Sequence, residues 1–298
     1  EKVFLRELLQ HSDFLSPRHQ IPVAMGKDIG GLPLIADLGE MPHLLCAGQT
    51  GSGKSVFMNS LICSLLYRFT PDELRMILVD PKVIELAPYH DIPHLLLPVV
   101  NDGRHASLAL KWAVKEMERR YRVLAALGVR SLASFNQKVE DVGPEVLLDL
   151  LTAAAEGGEG TLGLSETELA ECFEKDEEGN PRVGKLPYIV VIIDELADLM
   201  AIAKKDVEHS IQRIAAKARA AGIHLVIATQ RPSIDVVTGI IKANLPSRVS
   251  FKLAQYVDSK TILDRKGAER LLGQGDMLYI PPKLSQLVRL HGAYVDEA

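Results

Sequence analysis

With 298 residues, 47% of them hydrophobic, the chain can bury a full core as one large α/β domain or two small ones, which excludes disordered and fibrous classes. Apolar runs such as HLLLPVV and YIVVII fall far short of the roughly 20 residues that cross a bilayer. The formal charge of −5 is uneven: residues 140–185 hold thirteen acidic and three basic side chains, a local net of −10, which leaves the rest mildly basic at +5 and open to an anionic partner.

In chain order, residues 1–24 read as a lead-in. HLLCAG from His43 predicts a strand and Ser55 to Tyr67 a helix; RMILVD predicts a second strand. A long helix follows over Ala106 to Leu127. It carries Ala109, Trp112, Ala113, Met117 and Leu124 near one face, with the charges of KEMERRYR solvated elsewhere. Segment 140–185, rich in Gly and Glu, reads as an acidic surface insertion, mobile in part and outside the core, with docking of a partner protein as the alternative. YIVVIID then predicts a strand, Val207 to Ala221 a helix, and HLVIAT a further strand. These strands lack polar alternation, as expected where helices cover both faces of a parallel sheet, so the expected fold is a doubly wound α/β domain. Cys46, Cys63 and Cys172 show no CxxC spacing, which disfavours a disulfide framework or a zinc site and fits a reducing, cytoplasmic setting. Because the chain opens on Glu1, further domains or a membrane anchor are expected outside it.

The run Gly48, Gln49, Thr50, Gly51, Ser52, Gly53, Lys54, Ser55, followed by Val56, matches G-x-x-x-x-G-K-[ST] between a strand and a helix. Glycines let the backbone curl so that its N–H groups face phosphate oxygens. Lys54 then reaches the outer phosphates of ATP, and Ser55 offers its hydroxyl to Mg²⁺. Two acids close YIVVIIDE: Asp194, placed to hold the metal, and Glu195, placed to orient or deprotonate the attacking water. That adjacent glutamate tilts the reading to an ATPase. Gln230, ending HLVIATQ, is a candidate γ-phosphate contact, or a strand-end residue bonded to backbone. Asp80, Pro81 and Lys82 fall at the same expected carboxyl edge, where ligands gather in open α/β sheets.

Beyond these motifs, MPHLLCAGQTGSGKSVFMNSLI, LVDPKVIEL, EMERRYRVLAALGVRSLASFN, PYIVVIIDELADLM, AAKARAAGIHLVIATQRPSIDVVTGIIKANLPSRVSF and AERLLGQGDML together resemble the motor domain of the FtsK/SpoIIIE family of DNA translocases, from about residue 25 to 280. The resemblance implies a RecA-like P-loop ATPase that assembles into a homo-hexameric ring and threads double-stranded DNA. It places the P-loop on Gly48 to Ser55 and the Walker B acids on Asp194 and Glu195. A ring also needs a cation reaching the neighbour's phosphates. Arg219 is the candidate, Arg248 the weaker one; without the family, Arg219 reads as an ordinary solvated helix arginine. The family's DNA-facing loops fall on Arg231, Lys242 and Lys260, which would meet phosphates without reading sequence. YVDSK, Tyr256 to Lys260, departs from the more cationic KIDSR pattern expected there, which puts the grip of that loop in doubt. Relatives of this fold that drive protein secretion or plasmid transfer supply the alternative.

Overall fold

A computed structural model describes residues 2–156, 174–175, 181–282 and 286–295. In chain order the strands are β1 (Pro22–Asp28), β2 (Pro33–Asp37), β3 (His43–Ala47), β4 (Leu74–Val79), the two-residue pair β5 (Glu174–Lys175) and β6 (Pro181–Arg182), β7 (Tyr188–Ile193), β8 (Ile223–Thr229), β9 (Ser247–Phe251), β10 (Asp276–Ile280) and β11 (Val288–Gly292). All but β5 and β6 join one nine-stranded sheet in the order β2-β1-β11-β10-β9-β3-β8-β7-β4. From β9 to β4 the neighbours run parallel; from β2 to β9 they pair antiparallel.

The four strands expected from the apolar runs, β3, β4, β7 and β8, are adjacent at the parallel end, and their period of two explains the missing polar positions. Leu45, Ile77, Val191 and Ile227 face one core, Cys46, Leu78, Ile192 and Ala228 the other, and all are fully buried. Burying each large side chain contributes about 1.5–3 kcal/mol. The antiparallel extension was not foreseen. Its first pair is interrupted where the register shifts at Gly26 between β1 and β2, so no continuous pattern announces it.

The helices are α1 (Leu5–Leu9), α2 (Lys54–Arg68), α3 (Gly103–Ala126), α4 (Leu132–Val142), α5 (Pro144–Glu156), α6 (Leu196–Lys217), α7 (Gly239–Asn244) and α8 (Tyr256–Leu263). Helix α3 starts at an Asp102 cap, whose carboxylate accepts from the backbone of Arg104 and His105 at 3.0 and 3.1 Å. It buries Ala109, Ala113, Met117 and Leu124 as expected, but Trp112 lies at the edge of the stripe and is 41% exposed. Helix α6 begins eleven residues before the expected Val207, capped by Glu195, and bends at Ala203, whose φ of −139° and ψ of 45° are not helical.

Part of the acidic segment is core-forming. Leu147 and Leu151 of α5 are fully buried with Val123, Phe135 and Val183 in a small satellite core, which corrects the expectation that this stretch lies wholly outside one. The expectation that the segment is mobile in part falls in large measure on residues 157–173 and 176–180, which lie outside the described residues.

Below the N-terminal ends of β7 and β8, Arg120 is 1% exposed. Its Nη1 donates to the carbonyls of Pro187 and Ala221 at 2.8 and 2.9 Å, and its Nε to Glu116 Oε1 at 2.8 Å. Burial pushes the Glu116 carboxyl up, but Arg119 and Arg120 more than offset this and hold it below the usual range. Among the described residues no helix is long and apolar enough to cross a membrane.

Candidate functional site

The loop between β3 and α2 is pinned from three sides. Gly48 N–H donates to Thr229 O at 3.2 Å, Gln49 N–H to Lys252 O at 3.0 Å, and Gly275 N–H to Ser52 O at 2.9 Å. Two of its glycines are demanded by space. A Cβ on Gly48 would lie 2.5 Å from Ser52 Oγ, and one on Gly53, at φ 105°, would lie 2.4 Å from Gly275 N. Beside this loop opens a cavity of about 660 Å³, lined by Gln49, Thr50, Gly51, Gly53, Lys54, Ser55 and Val56 on one side. Lys2, Gln274, His291 and Tyr294 complete its wall, and the Lys2 ammonium sits 4.0 Å over the Tyr294 ring. Sequence reasoning missed this wall: GQGDML, which includes Gln274 and Gly275, carried the family likeness but no motif that assigned it a role.

Lys54 is the first residue of α2, and its side chain is 2% exposed. Its Nζ donates to Asp194 Oδ1 at 2.6 Å and to the Asp194 carbonyl at 3.1 Å. Asp194 is fully buried, and its Oδ2 has no hydrogen-bond partner within the protein. A buried carboxylate oxygen of this kind calls for a partner from outside the chain. Together with Ser55 Oγ it offers hard oxygen donors of the type that Mg²⁺ takes. No group of three or more His, Cys, Asp or Glu side chains among the described residues could hold a metal unaided, so an ion here would share these two oxygens with a ligand and water. Just before the loop, burial pushes the Cys46 thiol up to about 12, against Lys54, which lowers it, so it serves as a neutral packing group.

Glu195 is 1% exposed and turned toward β8. Its Oε1 accepts from Thr229 Oγ1 at 2.6 Å, Gln230 N at 3.2 Å and Ala197 N at 3.3 Å, and its Oε2 from Gln230 N at 3.1 Å. Gln230 therefore does two things: its backbone holds Glu195, and its side-chain oxygen accepts from Thr50 Oγ1 at 3.2 Å over the loop.

The turn after β4 completes the arrangement. Asp80 is fully buried, and its carboxylate accepts from the backbone N–H groups of Lys82, Val83, Ile84 and Leu86 at 2.9–3.1 Å. Asp80 thus builds the turn. What the turn presents are Lys82, whose Nζ lies 3.8 Å from Glu195 Oε2, and Glu85, whose Oε1 accepts from Ser55 Oγ at 2.8 Å. The sequence places Lys82 at this ligand edge without a specific partner and gives no sign of Glu85, because their partners Glu195 and Ser55 lie far away in sequence.

Arg219 is exposed and lies just beyond α6, with its Nε donating to Gly39 O at 3.0 Å. It is at the amino edge of β8, so the seven residues of that strand, roughly 20 Å, separate it from the loop edge of its own chain. Carbonyls around it are fixed: Tyr121 Oη donates to Lys217 O at 2.5 Å, Leu132 N to Ala220 O at 2.9 Å, and Arg120 to Ala221 O at 2.9 Å. The alternative, Arg248, directs its guanidinium to Leu245 O, Lys242 O, Ile262 O and Asp264 Oδ2 within its own chain.

The three candidate phosphate contacts are not gathered at one point. Arg231, exposed, follows β8 at the loop edge; Lys242 pairs with Asp264 at 2.6 Å near the start of β9; Lys260 is exposed on α8. The Tyr256 ring, 53% exposed, has Lys266 Nζ 5.0 Å above it.

The chain is 50% identical over 300 residues to the DNA translocase FtsK of Pseudomonas aeruginosa, covering 100% of this chain and 34% of that protein. It is likewise 50% identical over 298 residues to the DNA translocase FtsK of Haemophilus influenzae, covering 100% of this chain and 53% of the relative. The chain therefore spans about a third to a half of the length of these relatives. Among solved structures, the conjugation coupling protein TcpA of pCW3, a monomer with ATPγS, superposes with a TM-score of 0.72 at 24% identity, covering 99% of this chain and 70% of that one. The cytoplasmic domain of the type VII secretion ATPase EccC of Thermomonospora curvata does so with 0.74 at 21% identity, covering 100% and 33%. Both confirm the P-loop α/β fold. The sequence model of the FtsK/SpoIIIE family matches residues 4–234, and with the full-length identity to the FtsK relatives it shows that this chain belongs to the FtsK/SpoIIIE family.

Proposed function

We propose that this chain is a single ATP-hydrolysing motor domain, with residues 140–185 as its insertion, that drives double-stranded DNA through a homo-hexameric ring on the cytoplasmic side. The observation that carries this reading is the convergence of Lys54, Asp194, Glu195 and Gln230 on one sheet edge, in a chain 50% identical end to end to proteins named DNA translocase FtsK.

In this reading ATP lies along residues 48–56 with its phosphates toward Lys54, and Asp194 and Ser55 hold Mg²⁺, which when bound supplies a positive centre for the phosphate oxygens. Lys54 exchanges its bond to Asp194 for one to phosphate. Glu195 orients the water, and Gln230 touches the terminal phosphate. Arg219, too far from its own loop edge, serves the site of the next subunit. The exposed cations Arg231 and Lys260 meet DNA phosphates; Lys242 joins them only by giving up Asp264.

The test is ATP hydrolysis with and without linear double-stranded DNA across salt concentrations, with Glu195→Ala as the blank. Expected is DNA stimulation that falls steeply with salt and is absent from the variant. Hydrolysis indifferent to DNA would refute the DNA-motor reading.

A further inference from the structure

The strand β8 ends in a hydroxyl with one proton to give, and that proton is committed. Thr229 Oγ1 donates to Glu195 Oε1 at 2.6 Å and accepts from the backbone N–H of Arg231 at 3.1 Å. A three-member chain thus runs from the Arg231 backbone through Thr229 to the carboxylate. The Thr229 carbonyl accepts from Gly48 N, so the strand end itself is tied to the phosphate loop, while Arg231 beyond it is exposed.

Glu195 in this arrangement faces protein donors. Its oxygens accept from Thr229, Gln230 and Ala197, with Lys82 3.8 Å away, and the residue does not line the cavity. A general base acts only within hydrogen-bond reach of the proton it takes. The carboxylate must therefore turn before it can serve a water beside the nucleotide, and the 2.6 Å bond to Thr229 opposes that turn.

We infer that Thr229 is a positioning residue that holds Glu195 out of action, and that DNA phosphate engaging Arg231 releases it by drawing the Arg231 N–H away from the Thr229 hydroxyl. Loss of the bond that Thr229 accepts weakens the bond it donates, because linked hydrogen bonds polarise one another. The inference rests on the DNA-motor reading and adds to it a coupling route: the DNA-contacting turn and the base share one side chain.

The experiment uses the full chain with Thr229→Val, which keeps the β-branched shape and removes the hydroxyl, alongside Thr229→Ser, which keeps the hydroxyl. Hydrolysis is measured with and without double-stranded DNA, and binding of a fluorescent ADP analogue confirms an intact site. Expected for Thr229→Val is a DNA-free rate raised about tenfold, the factor carried by one hydrogen bond to a charged acceptor, with the DNA stimulation ratio lowered by the same factor. Thr229→Ser restores the wild-type ratio. If Thr229→Val fails to bind the analogue, Thr229→Ala puts the same question with less steric demand. Equal loss of rate with and without DNA, or an unchanged ratio, would overturn the inference and leave the motor reading standing. A wild-type rate indifferent to DNA would overturn both, and is seen before any variant is made.

Discussion

Replacing Arg120 by Met tests whether one buried guanidinium fastens α3 under the central strands. The side chain is 1% exposed and makes three hydrogen bonds, two of them to the carbonyls of Pro187 and Ala221 just before β7 and β8. Methionine fills most of the volume but leaves both carbonyls without a partner. Glu116 keeps only Arg119, which donates through Nε and Nη2 at 2.7 Å. Removing one member of a buried charged pair costs about 3–5 kcal/mol. With an unfolding entropy of about 2.1 cal/mol/K per residue, a loss of about 4 kcal/mol lowers Tm by about 6 °C for a chain of this size. Urea unfolding followed by the fluorescence of Trp112, the chain's one tryptophan and itself on α3, would report it. A loss below about 1 kcal/mol with an unchanged denaturant slope would refute the reasoning. The companion Arg120→Met, Glu116→Gln should recover part of the loss, since the carboxylate no longer needs its partner.

Two further outcomes follow. His43 and His224 are held neutral mainly by burial, pushed down to about 3 and about 4. Unfolding frees both to titrate near 6.5, so their contribution is complete above that pH and lost as the pH falls toward 4. By pH 4.5 each should cost about 2–3 kcal/mol, seen as a drop in urea midpoint between pH 7.5 and 4.5; if His224→Gln leaves that drop unchanged, the assignment fails. Glu85→Gln weakens the acceptor that orients the Ser55 hydroxyl, and should raise the Mg²⁺ concentration needed at the midpoint of a nucleotide-binding titration about tenfold. An unchanged midpoint would reduce Glu85 to a surface contact.

How far the sequence reached is clearest at particular residues. The parallel strands were legible because burial on both faces leaves apolar runs such as YIVVII, and the phosphate loop because Gly48 and Gly53 occupy positions where a Cβ has no room. Asp194 and Glu195 were legible as acids at the end of such a run. The antiparallel strands were not: they are as long as the legible ones, but they owe their place to distant partners, more than 200 residues away where β1 meets β11. Lys82 was legible only as a residue of the ligand edge, and Glu85 and Thr229 not at all, because their ion pairs and hydrogen bonds join segments that no local pattern connects. The start of α6 was missed for a different reason: Glu195 serves both as its cap and as the acid of the site, and only the second role was read.

The path of α6 has a mechanical consequence. The helix is capped by the residue proposed to handle water and ends two residues before the one proposed to reach the next subunit, a rod of 22 residues and about 33 Å. In a ring assembled this way, each subunit would sense its own nucleotide at one end of the rod and act on its neighbour's at the other. The break at Ala203 is then the elbow of a crank: a stiff helix would pass every small shift around the circle, whereas a jointed one passes on only those large enough to straighten or bend it.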